Sequence, residues 1–290
     1  MQKLSLEVSK DVVEIVRSFK NKMTTKYHRY ASWEFCYGLA QCMHDRKKEL
    51  SDDDYDYMAL NLSFYLASWG MYRGSFLLQK SYKVNVNIVK MILNNDSLWI
   101  EGIPSSEVYF KLRNSLNETY GFSENEEGIT DTLLTKIVLG MTGKVIAYDR
   151  YCKKSLKYLD VSDNFYSSRI RSWDEVTKNI LPVFNEILSN VEPIAKYNKY
   201  TFVNNKYIMT DEEIEYPISK YLDMFLFTLG MALENLEGFL SSGKDVGKKN
   251  QAKGSIKELF CTGVSQDNYF IIDYLTNNLR KQKSFITSIL

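Results

Sequence analysis

Helical periodicity constrains this chain more than any other feature. Nearly every segment with a clear hydrophobic pattern repeats every three to four residues, and only 4 prolines interrupt 290 residues. Val8, Val12, Ile15, Val16 and Phe19 share one face of a helix over 8–19. Residues 30–48 give a second helix, with Trp33, Tyr37, Ala40 and Met43 inward. The acidic turn SDDDYD offers Ser51 or Asp52 as an N-cap for a long helix over about 54–80, and 84–94 reads as a short one. A helix capped by Thr130 or Asp131 closes near Gly143, and others are expected at about 150–159, 172–190, 215–240 and 266–287. The one good β signal is YTFVNNKYIM, a hairpin over 200–209 turning at Asn204-Asn205. The stretch 241–255, rich in Gly and Lys, predicts a mobile surface loop. No repeat or linker divides the chain. The expectation is an all-α, compact multi-helix domain over 1–290 with one short hairpin, or alternatively two lobes, 1–128 and 129–290.

A hydrophobic fraction of 44%, with 14% aromatic, is enough for a real core. The net charge of +1 gives no whole-molecule attraction to a polyanion, so any nucleic-acid contact must come from a local patch. Cys36, Cys42, Cys152 and Cys261 form no CxxC pair, and His28 and His44 are the only histidines. That set offers no metal centre, and dispersed cysteines suit a reducing compartment. The N-terminus is charged throughout, and the greasiest run, 221–233, is short and contains Asp223. The reading is a cytoplasmic protein with no membrane span, no metal and no cofactor.

Several constellations could carry function. In LASWGMYRGSFLLQ, Gly70 and Gly74 lie four apart on the expected helix. They either admit a neighbouring helix or clear space for a ligand flanked by Trp69 and Arg73, an aromatic plate beside a guanidinium. Around Asp149 the charge is uneven: Lys144, Arg150, Lys153, Lys154 and Lys157 stand against that one carboxylate, with Tyr148 beside it. Asp149 reads first as an N-cap; the cations around the same helix start would also suit a phosphate. Lys136 falls at the rim of a buried helix face, where a lysine usually snorkels and sometimes becomes an amine nucleophile. Lys220 and Asp223 sit three apart on an otherwise apolar helix, and a buried carboxylate needs partners. No P-loop, dinucleotide-binding glycine loop, G-x-S-x-G elbow or Ser-His-Asp triad is present.

HRYASWEFCY, YLASWGMYRGSFLLQKSY, TLLTKIVLGMTGKVIAYDRY and YPISKYLDMFLFTLG together resemble a family of bacterial proteins of unassigned function. More distantly, a Thr-Lys-x-Val-Leu helix, a turn, a Tyr-Asp and a basic helix resemble the helix-hairpin-helix DNA glycosylases. That resemblance implies a base-excision activity on modified bases; bacterial defence is the expected setting. Lys136 would match the family's lysine, Asp149 its aspartate, and Lys220 with Asp223 its later pair. The usual Leu-Pro-Gly-(Val/Ile)-Gly hairpin is replaced by LGMTGKV, and 13 residues, 136 to 149, separate lysine from aspartate, fewer than is usual there. The expected function is a protein that binds DNA or RNA, with glycosylase-like chemistry. The alternative is a non-enzymatic helical module that binds nucleic acid or a protein partner.

Overall fold

The computed structural model describes residues 28–100, 105–123, 126–158 and 195–241, with 13, 16, 17, 19 and 20 from the N-terminal stretch. Those residues are mostly helical and contain a two-stranded antiparallel sheet. The helices expected at 172–190 and 266–287, all of the loop 241–255 after its first residue, and Cys261 lie outside them, as does most of 8–19, although Val16 and Phe19 are buried.

The chain forms two units. One comprises 25–148 and 195–220; the other takes 1–24, 149–194 and 221–290. In the first unit, α1 (Ser32–Asp45) is buried on most sides, with Trp33, Ala40 and Met43 fully covered. Helix α2 (Asp52–Ser68) starts with a capping box: the Ser51 hydroxyl accepts from the Asp54 N–H, and the Asp54 carboxylate accepts from the Ser51 N–H at 2.7 Å. Three acids in its first turn complement the helix dipole.

Helix α2 does not reach residue 80. It ends at Ser68, and a short 3-10 turn follows at Phe76–Gln79. Gly70 and Gly74 take left-handed backbone angles (φ +78° and +65°), and nothing approaches within 4 Å of where their Cβ atoms would lie. These glycines therefore shape a turn. They lie past the end of the helix and no neighbouring helix packs against them, which corrects their placement on a helix face.

Helices α3 (Asn85–Leu93) and α4 (Ser106–Tyr120) complete this half of the unit. Asn85 is fully buried and satisfied by a relay: its amide donates to the Ser63 hydroxyl at 2.7 Å and its carbonyl accepts from the Tyr120 hydroxyl at 2.9 Å. Burial, helped by Tyr72 nearby, pushes the Tyr120 hydroxyl well above its ordinary range, so it stays a donor. From α4, Arg113 pairs with Asp131 and donates to the Ile129 carbonyl at 2.5 Å. Helix α5 (Asp131–Thr142) is capped by the Thr130 hydroxyl, which accepts from the Leu133 N–H at 3.2 Å. Gly140 lets the Tyr65 ring lie against α5; a Cβ there would stand 2.4 Å from the ring.

Strands β1 (Lys196–Val203) and β2 (Lys206–Glu215) are longer than the sequence suggested. Asn204 and Asn205 both take positive φ (51° and 59°), the combination that a tight turn matching strand twist requires. The pairing register shifts between Asn198, opposite Glu213, and Tyr200, opposite Met209. Tyr197 and Tyr200 both abut Gly38 of α1.

In the second unit, α6 (Arg150–Tyr158) lies against α7 (Ile218–Ser241), whose residues from 221 onward belong to this unit. Their backbones touch: a Cβ on Gly230 would sit 2.0 Å from the Tyr151 carbonyl oxygen. The Ser155 hydroxyl donates to the Leu226 carbonyl at 2.5 Å, and Phe227 meets Phe19 and Tyr151 edge-on.

Candidate functional site

Within the first unit, an aromatic box assembles around Trp33. Its indole N–H donates to the Leu139 carbonyl at 2.9 Å, which fixes the ring between α1 and α5. Tyr37 stacks on it at 4.7 Å, and Tyr216 meets it edge-on at 4.9 Å. Tyr197 closes against Tyr37 at 5.2 Å. Burial, then the neighbouring Tyr197, holds the Tyr37 hydroxyl far above its ordinary range. The Tyr216 hydroxyl donates to the Glu34 carboxylate in a short hydrogen bond, which brings an acid to the edge of the box.

Two lysines enter this apolar setting. Lys220 is 1% exposed, and its ammonium lies 4.9 Å from the Trp33 ring centre and 5.4 Å from that of Trp69. Lys136 is 2% exposed, and its Nζ lies 4.6 Å from the same Trp69 ring. Lys136 is thus drawn inward, against the expectation that it snorkels. An ammonium taken out of water loses hydration, and the π-faces of two indoles return part of that loss. Trp69 itself is half-buried at the C-terminus of α2, with Tyr30 stacked on it at 4.9 Å. The structure brings together Trp69, Lys136 and Lys220. The sequence did not bring Trp33 to attention as the partner of Lys220, because 187 positions separate them along the chain, 33 to 220.

Arg73 is not part of this group. It is exposed in the turn after α2, so Trp69 and Arg73 are not neighbours on a helix face. Tyr148 is buried and held through its backbone: its N–H donates to the Thr135 hydroxyl at 2.9 Å, and its carbonyl accepts from Thr132 at 2.7 Å. Lys144 is half-buried in the loop between α5 and α6, and Ser219 donates to the Gly143 carbonyl beside it.

The remaining candidates belong to the second unit. Asp149 is the N-cap of α6. One carboxylate oxygen accepts from the N–H groups of Tyr151 and Cys152, both at 3.0 Å, and its own carbonyl accepts from the Lys153 N–H. Helix α6 buries Cys152, Ser155 and Leu156, leaves Arg150 exposed, and holds Lys153 and Lys154 half-exposed; Lys157 lies on its last turn. Arg150 receives Glu234 at 3.4 Å and donates to the Tyr151 hydroxyl at 2.7 Å. Asp223 is buried, as its apolar surroundings in the sequence imply.

His28 caps a short 3-10 turn by accepting from the Tyr30 N–H. His44, at the end of α1, stacks on Trp99 at 3.9 Å with its Nε2 buried and without a hydrogen-bond partner among the described residues. Burial first, then Lys47 nearby, lowers its pKa below the ordinary 6.5. The unfolded chain therefore takes up this proton before the native one does. Stability contributed by neutral His44 is present above about pH 6.5 and is lost as pH falls below it. Denaturation midpoints measured between pH 7 and 5 should decline, and His44→Phe should flatten that part of the curve; an unchanged decline in the variant would assign it to other groups.

Among the described residues no group of three or more His, Cys, Asp or Glu is placed to hold a metal ion, and no helix is long and apolar enough to cross a membrane. No known protein family, curated protein or solved structure matches the chain.

Proposed function

We propose that this protein is a helical binding module that engages a polyanion, DNA or RNA, through α6. The observation that carries the reading is the charge of that helix: RYCKKSLKY has four basic residues and no acid, and its apolar side is turned into the protein. Cationic side chains on one side of an anchored helix suit a phosphate backbone. Asp149 fits this reading as the cap that holds the helix start. Lys153→Glu with Lys154→Glu should weaken binding to a labelled duplex or single strand about 10-fold or more. It should also reduce the slope of log affinity against log salt by about two, one for each lost phosphate contact. Fluorescence anisotropy across a salt series measures both. Affinity that is independent of salt in the parent protein removes the nucleic-acid reading.

A second reading, base excision, is favoured by the Lys136–Trp69 contact. A buried amine on an indole is a setting in which lysine nucleophiles occur, and a base taken out of the stack needs an aromatic surface. Incubation with plain and base-modified DNA, followed by assay for abasic sites, tests it. Product formation that is lost in Lys136→Ala supports catalysis; binding with no abasic product in any substrate leaves the binding module alone.

A further inference from the structure

Helix α2 presents an apolar side to water as well as to the core. Met58, Ala59, Leu62, Tyr65 and Leu66 are buried. The opposite face carries Tyr57, Leu60 and Phe64, which are 44%, 48% and 59% exposed, with Ala67 beyond them. Positions 57, 60, 64 and 67 fall within a quarter-turn or so of one another, so they make one continuous stripe. Met209, 46% exposed, adds to it beside Tyr57: Tyr57 stacks on Tyr207, and Met209 follows two residues along the same strand. A helix that is apolar on both sides is normally covered on both.

The charges at the two ends of this stripe say what covers it. At the N-terminal end Asp53 is exposed on the same face as Tyr57. Past the C-terminal end Arg73 is exposed. Neither makes an ion pair with a described residue. One helix carries its acid at one end and its cation just past the other, with apolar residues between. Such a helix is complementary to itself when turned end for end.

We infer that α2 is the contact between two copies of this chain, packed antiparallel about a two-fold axis at Leu60. Leu60 then meets the Leu60 of the second copy, and Tyr57 meets its Phe64. Asp53 lies near the Arg73 end of the second copy, and that contact is made twice. An isologous pairing of this kind closes on itself, so it yields a dimer and no filament. The opposed helix dipoles favour the same arrangement. The inference does not depend on the nucleic-acid reading.

Symmetry supplies the test. Only a residue at the axis meets its own copy. Leu60→Cys should give a covalent dimer with a short bismaleimide linker, while Asp53→Cys and Ala67→Cys should each fail alone and cross-link when mixed. Cys36, Cys42 and Cys152 are buried, and the parent protein run in parallel controls for every native cysteine. Light scattering should give twice the chain mass for the parent protein and the single-chain mass for Phe64→Glu. Asp53→Arg should raise the dimer Kd about tenfold, and adding Arg73→Asp should restore it. All these positions are exposed, so folding is preserved, which circular dichroism checks. A parent protein that stays monomeric at high concentration overturns the inference. So does cross-linking of Asp53→Cys alone as efficiently as Leu60→Cys. So would a stripe shielded only by a different protein or by nucleic acid while the chain stays monomeric.

Discussion

Gly230→Ala is expected to destabilise the protein by about 3 kcal/mol or more, at the upper end of what overpacking costs. The added methyl would be placed 2.0 Å from the Tyr151 carbonyl oxygen, a backbone atom that can move only if α6 moves with it. Other glycines give a graded comparison. Gly140→Ala meets the Tyr65 ring at 2.4 Å, and that ring, 1% exposed, has little room to turn, so about 2 kcal/mol is expected. At Gly70 and Gly74 nothing stands in the way, and alanine should cost about 1 kcal/mol from the left-handed backbone alone. Urea denaturation of the four variants measures the series. A loss below about 1 kcal/mol at Gly230 would show that α6 and α7 are not in backbone contact.

Arg113→Met should cost about 3–4 kcal/mol, the range for removing one partner of a buried ion pair. Arg113 and Asp131 side chains are 7% and 14% exposed, and the same guanidinium satisfies the Ile129 carbonyl. Methionine keeps much of the volume and leaves both acceptors short of a donor; the Tyr109 hydroxyl, 3.3 Å from Asp131, compensates only in part. Asp131→Asn should partly rescue Arg113→Met, because it removes the stranded charge. A double-mutant cycle reads this coupling, and strictly additive losses would show that the pair contributes nothing of its own.

Where the sequence was legible, local chemistry agreed with tertiary packing. Thr130 before an apolar run with Gly143 after it predicted α5, and Asn204-Asn205 between β-prone arms predicted the hairpin. The sequence suggests a helix over 54–80 because Phe76 and Leu77 continue an apolar pattern past Ser68, whereas Gly70 and Gly74 break the backbone there. Helix α4 is weakly signalled: Ser105 before it, Gly121 after it, and Tyr109, Leu112, Leu116 and Tyr120 along it mark a helix. Its charged exposed face hid the period. Of the candidate site, Asp149 as a cap was readable because capping is local. The meeting of Lys136, Lys220 and Trp69 was not, because three distant segments decide it. The buried state of Lys136 likewise follows from indole contacts that no helical period encodes.

The aromatic box also has a temporal side. Trp33, Tyr37 and Trp69 leave the ribosome early, while Tyr197, Tyr216 and Lys220, which complete their surroundings, come from a segment beginning only at residue 195. At ordinary translation speeds the gap is on the order of ten seconds. For that interval Trp33 has Tyr37 and the Leu139 carbonyl but lacks Tyr216 and Lys220, and the hairpin with the start of α7 acts as a late closure. A pause in translation before residue 220 would lengthen that interval.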